Sequence, residues 1–538
     1  MKTYRKLSKA LALCLTLLMA IGLFGTTAFA IEPDAKGTIR INGAEDGVAV
    51  NAYQLMTVSY DYIADQPVQP VYTWTEDVAD WVRGNYPDYI GTGTDNSVQS
   101  DFSSEMGASD IAAFYDALAA AIKGKNLTLT ADGTRSGSGD IGNLPMGNYL
   151  ILIENGLKIY HPAAVNLVPE WQNNSWQMTT PAVLEVEVKS SEPTVIKTVK
   201  APNTQDGREK DNASIGDTVT FDIRADVPHY PASATSKNYA ISDVLPGGLT
   251  LTANSIAVYG VKSDTETPLT NNGTAYYTQS DARPNNGGNS AFTLTFDYDT
   301  ISTYDEIHVT YTAVLNGSAV LGENGNENNA YLDYTSNPYV TGDWGGEAND
   351  TATVYTYGLE ISKVDKENHS TYLPGAEFEL YASQNEATSG DNKIAFIRES
   401  EGVYRKAWAG ESGTTTTLTV GATASFTGKL TLKGLDEGIW YLKETKAPDS
   451  YNLLASPVEV TITDTDAGML DGKVDNAKGE NGEDVALVTL MVENDDGFRL
   501  PVTGGIGTIL FTAVGVVLMG AAVVLLIVVF KKKKAENE

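Results

Sequence analysis

A lysine, a carboxylic acid and a carboxamide are each predicted to point into an apolar core. They lie in three strand-like runs: TVIKTVK (194–200), YAISDVL (239–245) and NNAYLDY (328–334). Strand alternation places Lys197, Asp243 and Asn328 on the apolar faces of these runs and favours Asn328 over Asn329. Burial lowers the pKa of an amine and raises that of a carboxyl. Held together, the neutral amine could attack the carboxamide while the protonated carboxyl polarises its oxygen.

No motif of a hydrolase or metalloenzyme accompanies these residues. Neither HExxH nor GxSxG occurs. The four histidines are scattered, at His161, His229, His308 and His369. The acidic stretch 464–475 is interpreted as a solvated loop, because Met469 stands where a Ca²⁺ loop needs Gly and Asp475 where it usually has Glu. We therefore expect no enzyme activity, no cofactor and no metal site.

Short β-strands are the elements that would position these side chains. Apolar alternation recurs between Gly, Asn and Asp clusters, for example at 219–223, 292–296 and 308–312. This pattern predicts a mainly all-β chain of tandem immunoglobulin-like sandwiches. Two helices are expected in the first domain, one in SDIAAFYDALAAAIKGK with Ser109 as N-cap and one around 76–83. Strand-like runs that open new units predict domains at 31–189, 190–357 and 358–499.

Both ends of the chain carry targeting signals. A basic segment, an apolar run and the sequence AFA predict a signal peptide over 1–30, which contains Cys14, the single cysteine. Near the other end, 506–530 is apolar and long enough to span a bilayer, and the basic tail 531–538 is expected in the cytoplasm. The body of the chain is therefore expected outside the cell, without disulfides.

The charge of the chain excludes several classes of partner. The formal net charge is −32 over 538 residues, which disfavours nucleic acid and polybasic membrane binding. Without 1–30 and 504–538 the chain keeps 29 Lys and Arg against 67 Asp and Glu, a net charge of −38. Both clusters of positive charge thus belong to the terminal signals.

The residues Leu500, Pro501, Val502, Thr503 and Gly504 resemble the LPxTG sorting signal of Gram-positive surface proteins. The apolar span and lysine tail directly behind them strengthen the resemblance. It implies that a sortase cleaves after the threonine and transfers its acyl group, first to the enzyme's thiol and then to an amine. An ordinary type I membrane protein with a chance LPVTG is the alternative.

The third predicted domain resembles the CnaB-like domains of Gram-positive pilins and adhesins. The matching runs are LEISKVD (359–365), LPGAEFELY (373–381), YLKETKAP (441–448) and VEN (492–494). The resemblance implies an intramolecular isopeptide bond between Lys363 and Asn494, promoted by the acid Glu444.

The middle domain resembles the isopeptide-forming, CnaA- or CnaB-like domain of backbone pilins. The resemblance implies a bond between Lys197 and Asn328, with Asp243 as the promoting acid. In both domains the lysine and asparagine lie 131 positions apart. The first domain opens with a pilin-like strand, but Arg40 stands where the lysine is expected, and a guanidinium does not attack amides. We therefore predict no bond in the first domain.

Backbone pilins of the SpaA type join the LPxTG threonine of one subunit to a lysine near the end of the next subunit's first domain. The corresponding lysine here is Lys189, although the Tyr-Pro that usually precedes it is replaced by Glu187-Val188. Lys197 and Lys200 are the alternatives.

The resemblance implies a structural shaft subunit of a covalent, sortase-assembled pilus that contributes to adhesion. A single-copy wall-anchored adhesin or a minor or tip pilin is the alternative function. Implied partners are identical subunits, pilin-specific and housekeeping sortases, accessory pilins, peptidoglycan and host surface ligands. The expected location is the cell wall, with the precursor held in the plasma membrane by its C-terminal helix.

Overall fold

The structure is a computed structural model of the chain. It describes residues 36–63, 66–102, 106–168, 170–172, 175–177, 183–273, 275–284, 288–464, 470–475, 485–496 and 506–535. The predicted signal peptide with Cys14 and the sorting motif 500–504 lie outside these residues. The chain forms two compact units. One contains the chain up to Tyr357 with Gly434–Asp436 and Asp464–Lys473, and the other contains the remainder from Gly358 onward.

The N-terminal region consists of small sheets and two helices. Its elements are β1 (Lys36–Asn42), β2 (Ala49–Ile63), β3 (Gln66–Trp74), α1 (Glu76–Asn85), a 3-10 helix (Pro87–Tyr89), α2 (Ala108–Lys123), β4 (Gly133–Ser136), β5 (Gly139–Pro145), β6 (Gly147–Glu154), β7 (Ile159–Tyr160), β8 (Ala163–Leu167), β9 (Glu170–Gln172), β10 (Ser175–Gln177), β11 (Val183–Glu187) and β12 (Ser190–Ser191). The main sheets run β11–β1–β5 and β3–β2–β6–β8, with β4 on β2. The strands β7 and β12 form one small pair, and β9 and β10 form another.

The centre of β6, residues 149–153, is apolar throughout because both faces of the strand are buried there. Tyr149 and Ile151 pack in a cluster with β1, whereas Leu150 and Leu152 pack in a second cluster with α2. The two predicted helices are confirmed, but the predicted N-cap Ser109 is wrong. The carbonyl of Gly107 already accepts hydrogen bonds from the backbone of the following turn, so the helix begins before Ser109.

The middle region is a sandwich of two antiparallel sheets. Its elements are β13 (Val195–Lys200), β14 (Lys210–Asn212), β15 (Thr218–Asp226), β16 (Tyr239–Val244), β17 (Leu249–Leu251), β18 (Ala257–Lys262), β19 (Thr265–Pro268), β20 (Tyr277–Ala282), β21 (Asn289–Phe296), α3 (Tyr298–Ile301), β22 (Glu306–Leu315), β23 (Asn326–Tyr334) and β24 (Gly346–Tyr355). One sheet has the order β13–β15–β22–β18–β19 with β17 on β22, and the other β14–β24–β23–β16–β21–β20; only the β14–β24 pair is parallel. The inner faces carry the alternating apolar residues that the sequence predicts.

The C-terminal region has a six-stranded and a four-stranded sheet. Its elements are β25 (Tyr357–Asp365), β26 (Glu377–Tyr381), α4 (Gln384–Ser389), β27 (Phe396–Ser400), β28 (Val403–Lys406), β29 (Thr414–Thr415), β30 (Leu418–Thr419), β31 (Lys429–Leu435), β32 (Gly438–Lys446), β33 (Val458–Ile462), β34 (Leu487–Asn494) and α5 (Ile506–Ala535). The sheet orders are β29–β27–β28–β31–β25–β34 and β30–β26–β32–β33. Within α5, Thr512–Lys533 is long and apolar enough to cross a membrane.

The acidic stretch at 464–475 differs from the predicted solvated loop. Asp464 is 1% exposed and accepts hydrogen bonds from the Tyr357 hydroxyl at 2.6 Å and from the backbone of Gly472 at 2.7 Å. The carboxylate is buried because three donors converge on it, including the backbone of Asp471. Residues 465–469 lie outside the described part of the chain.

Candidate functional site

Lys197, Asp243 and Asn328, here called the middle cluster, meet between the two sheets of the middle region. Lys197 lies on β13 in one sheet, and the other two residues lie on the adjacent antiparallel strands β16 and β23 of the facing sheet. Asn328 is two residues from the partner of Asp243 on β23, so both side chains share a face. All three residues are 0% exposed. Lys200 and Asn329 are partly exposed, as the alternation predicts.

A tyrosine on β22, Tyr311, contacts two members of the middle cluster. Its hydroxyl lies 3.0 Å from Lys197 Nζ and accepts a hydrogen bond from Asn328 Nδ2 at 2.6 Å. Lys197 Nζ also donates to Asp243 Oδ2. The Phe221 ring stacks on Tyr311 and lies 5.1 Å from the amine. The lysine is therefore enclosed by aromatic rings, away from water.

Burial dominates the protonation of the middle cluster. It lowers the pKa of Lys197, although attraction to Asp243 opposes the shift. It also raises the pKa of Asp243, although Lys197, Tyr311 and Asn328 all oppose the shift. Both directions favour a neutral amine beside a protonated carboxyl over an ion pair.

Lys363, Glu444 and Asn494, here called the C-terminal cluster, meet in a different arrangement. Lys363 on β25 and Asn494 on β34 lie on neighbouring parallel strands of one sheet, and Glu444 on β32 belongs to the other sheet. Lys363 Nζ is 3.9 Å from Glu444 Oε1 and donates to the Val492 carbonyl at 2.9 Å. Asn494 Nδ2 donates to Glu444 Oε2 at 3.0 Å and to the Asn452 carbonyl at 2.6 Å.

The C-terminal cluster is also buried, with residue exposures of 0% for Lys363, 3% for Glu444 and 1% for Asn494. Burial lowers the pKa of Lys363 to about 8, while Glu444 and Glu493 oppose the shift. This value makes a neutral amine accessible near physiological pH.

Both clusters contain buried oxygens without a hydrogen-bond partner. In the middle cluster they are Asp243 Oδ1 and Asn328 Oδ1, and in the C-terminal cluster Glu444 Oε1 and Asn494 Oδ1. Among the described residues, eight buried side-chain polar atoms lack a partner, and these oxygens are four of them. Because such atoms are costly, their concentration here calls for a functional explanation.

Two contributors to these clusters are not identifiable by motif. Tyr311 is one of the inward residues of β22, which alternate with outward ones along the strand. The feature of the sequence that could have identified it is a hydroxyl among aliphatic inward neighbours. The backbone carbonyl of Asn452 comes from a loop, and no residue type encodes such a contact.

Arg40 lies on the exposed face of β1. Its neighbours Ile39 and Ile41 are 0% exposed, whereas the Arg40 side chain is 41% exposed and lies 2.6 Å from Asp140. Strand alternation thus gives the inward positions of β1 to the isoleucines, so the Arg40 side chain faces solvent. The absence of a bond in the first domain stays a prediction.

Lys189 is exposed between β11 and β12. Its backbone carbonyl accepts a hydrogen bond from the His161 backbone at 3.0 Å, so the main chain is fixed at this point. The two alternatives differ in accessibility: Lys197 is fully buried and Lys200 is partly exposed.

Three family models match the chain in succession. Residues 215–338 match the Gram-positive pilin backbone subunit 2, Cna-B-like domain. Residues 358–476 match the SpaA prealbumin-like fold domain, and 493–537 match the LPXTG cell wall anchor motif.

Individual proteins are similar along most of the chain. The trypsin-resistant surface T6 protein of Streptococcus pyogenes serotype M6 is 25% identical over 94% of this chain and 97% of its own length. The solved structure of the T6 backbone pilin of serotype M6 S. pyogenes covers 87% of this chain and 100% of its own, with 18% identity and a TM-score of 0.54. This likeness supports the mainly β, pilin-type fold.

The backbone-pilin domain, the prealbumin-like domain and the wall anchor follow one another in a single chain with an apolar C-terminal helix. The chain therefore belongs to the LPXTG-anchored backbone pilins of Gram-positive bacteria and is a shaft subunit of a sortase-assembled, cell wall-anchored pilus.

Proposed function

We propose that each buried cluster forms an intramolecular isopeptide bond on its own, without an enzyme. In the middle cluster, the neutral Nζ of Lys197 attacks Cγ of Asn328. A new N–C bond forms, the bond from Cγ to Nδ2 breaks, and one amine proton leaves with the nitrogen as ammonia by way of Asp243. In the C-terminal cluster, Lys363 and Asn494 react in the same way with Glu444 as the acid.

The observation that carries this proposal is the burial of a complete amine, carboxyl and carboxamide set in two separate cores. The unpartnered oxygens support it, since one proton on the carboxyl can satisfy a carboxyl oxygen and the carboxamide oxygen together. That hydrogen bond polarises the carboxamide carbon for attack. With an ionised carboxylate, the unpartnered carboxylate oxygen and the carboxamide oxygen would both remain without a hydrogen-bond donor.

Such bonds would stabilise an exported chain whose mature part has no cysteine. Each bond closes a loop of about 130 residues, which by the chain-entropy estimate for crosslinks contributes about 5 kcal/mol to the free energy of unfolding.

For assembly, we propose that sortase cleaves between Thr503 and Gly504 and that the Thr503 carbonyl is joined to Lys189 of the next subunit. The exposure of Lys189 and its fixed main chain support this choice. The burial of Lys197 removes it as an acceptor, because its amine cannot reach an acyl-enzyme.

Mass spectrometry of the mature ectodomain tests the internal bonds. The intact mass should be lower than the sequence mass by two ammonia molecules, with crosslinked peptides joining Lys197 to Asn328 and Lys363 to Asn494. The variants Lys197→Arg and Lys363→Arg should each restore one ammonia, and the control Lys200→Arg none. An unmodified intact mass would overturn the proposal.

Fibres test the assembly step. Tandem mass spectra should show a branched peptide that joins Thr503 to Lys189, and Lys189→Arg should reduce the high-molecular-weight ladder to monomer. A branch at another lysine would contradict the choice of Lys189. Accessory pilins, a housekeeping sortase that transfers the fibre to peptidoglycan, and host surface ligands complete the proposed partners.

A further inference from the structure

The middle cluster contains a hydroxyl that no bond-forming role assigned above uses. Tyr311 is 0% exposed, and its oxygen is within hydrogen-bond distance of the attacking nitrogen of Lys197 and of the departing nitrogen of Asn328. Tyr311 and Asp243 also shift each other's pKa, so the two groups are neighbours. Tyr311 thus touches both nitrogens whose bonds change.

We propose that Tyr311 is a catalytic residue of the middle cluster and relays a proton from Asp243 to the leaving nitrogen of Asn328. This proposal rests on the internal bond proposed above. As Lys197 attacks, the Tyr311 hydroxyl gives its proton to Nδ2 and regains one from the protonated Asp243. The Asp243 carboxylate then takes one proton from the former Lys197 amine. The Cγ–Nδ2 bond breaks, and ammonia leaves. The phenol and the carboxyl end in their starting protonation states, so the step balances without a further reagent.

The hydrogen bonds of the two carboxamides differ in a way that supports a relay. Asn494 Nδ2 donates directly to Glu444 Oε2 at 3.0 Å, so the acid can protonate the leaving nitrogen itself. The short hydrogen bond of Asn328 Nδ2, at 2.6 Å, goes to Tyr311 instead. Burial raises the pKa of the Tyr311 phenol well above its usual value, which keeps the proton on the oxygen between transfers.

The ring of Tyr311 can be retained while the hydroxyl is removed. It packs on Phe221 and edge-on to Phe292, with centroids 5.3 and 5.1 Å apart, and phenylalanine preserves both contacts. Tyr239 provides a matched control: it is also 0% exposed in the same sandwich, but its hydroxyl donates to the Ala225 carbonyl.

The test follows both bonds in full-length chains made by cell-free synthesis, with samples taken over time for peptide mass mapping. In Tyr311→Phe, the Lys197–Asn328 bond should form about 100-fold more slowly or not at all, the magnitude usual for loss of a general acid. The bond between Lys363 and Asn494 should form normally in the same molecules. Tyr239→Phe should leave both rates unchanged.

Several outcomes would overturn the relay. One is an unchanged rate of Lys197–Asn328 bond formation in Tyr311→Phe. Another is an equal slowing in Tyr239→Phe, which would show that altered packing, and not the loss of a relay, slows the reaction. A wild-type chain that lacks the middle bond would instead refute the proposed function itself. Should Tyr311→Phe fail to fold, the wild type still decides. The middle bond should show the larger solvent deuterium isotope effect, because the relay through Tyr311 adds one proton transfer to the two that occur in the C-terminal cluster. Equal effects for the two bonds would refute the relay.

Discussion

The two clusters contain the same chemical groups but connect different parts of their sandwiches. In the middle region, Lys197 and Asn328 lie on facing sheets, so a bond between them would cross the core. In the C-terminal region, Lys363 and Asn494 lie on neighbouring parallel strands, the first and last strands of that region. The first bond would tie sheet to sheet, and the second would tie the entry of a domain to its exit.

This difference decides which residues carry tension. In the C-terminal region, force entering at β25 would pass through the bond to the end of β34, so the residues between them stay unloaded. In the middle region, β24 follows Asn328 and lies outside the loop that a bond between Lys197 and Asn328 would close. This strand would therefore carry tension. With the intersubunit join at Lys189, the N-terminal region lies outside the tension path altogether, which fits its predicted lack of a bond.

Single-molecule pulling of the ectodomain from its two ends should separate the three regions, and this is the largest effect that we expect. The C-terminal region should give no extension. The middle region should yield at most the segment from Asn328 to Tyr355, roughly 90 Å when extended, whereas the N-terminal region should yield about 500 Å.

The variant Asn494→Ala should add a long extension from the C-terminal region, and Met491→Ala, an exposed change on the same strand, should not. A long extension from the C-terminal region of the wild type would contradict the proposed bond. In intact fibres the extension from the N-terminal region should disappear; its persistence would place the intersubunit join elsewhere.

The stability of the N-terminal region should depend on a side chain of the middle region. Tyr339 is 2% exposed and packs in the hydrophobic cluster of α2, which includes Phe114 and Leu118, and its hydroxyl donates to Asp116. Tyr339→Ala should lower the free energy of unfolding of this region by about 4 kcal/mol, because it removes an aromatic ring from a packed core. Denaturant unfolding measures the loss, and both internal bonds should remain.

Tyr339→Phe is the matched control for this prediction. It keeps the ring and removes only the hydrogen bond to Asp116, so the loss should be about 1 kcal/mol. Equal losses in the two variants would show that the ring contributes nothing.

The pH dependence should distinguish a bonded from an unbonded lysine. In Asn494→Ala, Lys363 stays an amine whose pKa is about 8 when folded and 10.5 ordinarily. Between these values the unfolded chain binds more protons, so the free energy of unfolding should rise with pH by about 3 kcal/mol and be flat below about 8. Denaturant unfolding at several pH values measures this.

The C-terminal region of the bonded wild type should lack this rise, because an amide nitrogen does not titrate there. The double variant Lys363→Met with Asn494→Ala should lack it as well. The unfolding of the C-terminal region must be followed by itself, since burial also lowers the pKa of Lys123 in the N-terminal region to about 8. A rise in the wild-type C-terminal region between pH 8 and 10 would show that Lys363 is a free amine.

Strand alternation predicted much of the fold and of the candidate site. It placed Lys197, Asp243 and Asn328 in the core because side chains alternate between the two faces of a strand, so that of two neighbouring residues only one points inward. It could not give the role of the Tyr311 hydroxyl, since inward tyrosines are common and only tertiary packing brings this one to both nitrogens. Burial of Asp464 was also missed, because backbone donors that converge from a loop have no sequence pattern.

The smallest expected effect comes from Arg40→Lys, and it tests why the N-terminal region differs. The strands β1 and β11 pair in parallel, as β25 and β34 do, and Glu187 stands where Asn494 stands in the C-terminal pair. If residue type alone decided reactivity, Arg40→Lys would supply the missing nucleophile. The face of the strand argues against it, because position 40 points to solvent beside Asp140, where an amine stays charged. Arg40→Lys should therefore cause no further loss of ammonia and change stability by less than about 0.5 kcal/mol. A third crosslink mapped to position 40 would contradict this, and it would mean that strand pairing, rather than burial, selects the reactive lysine.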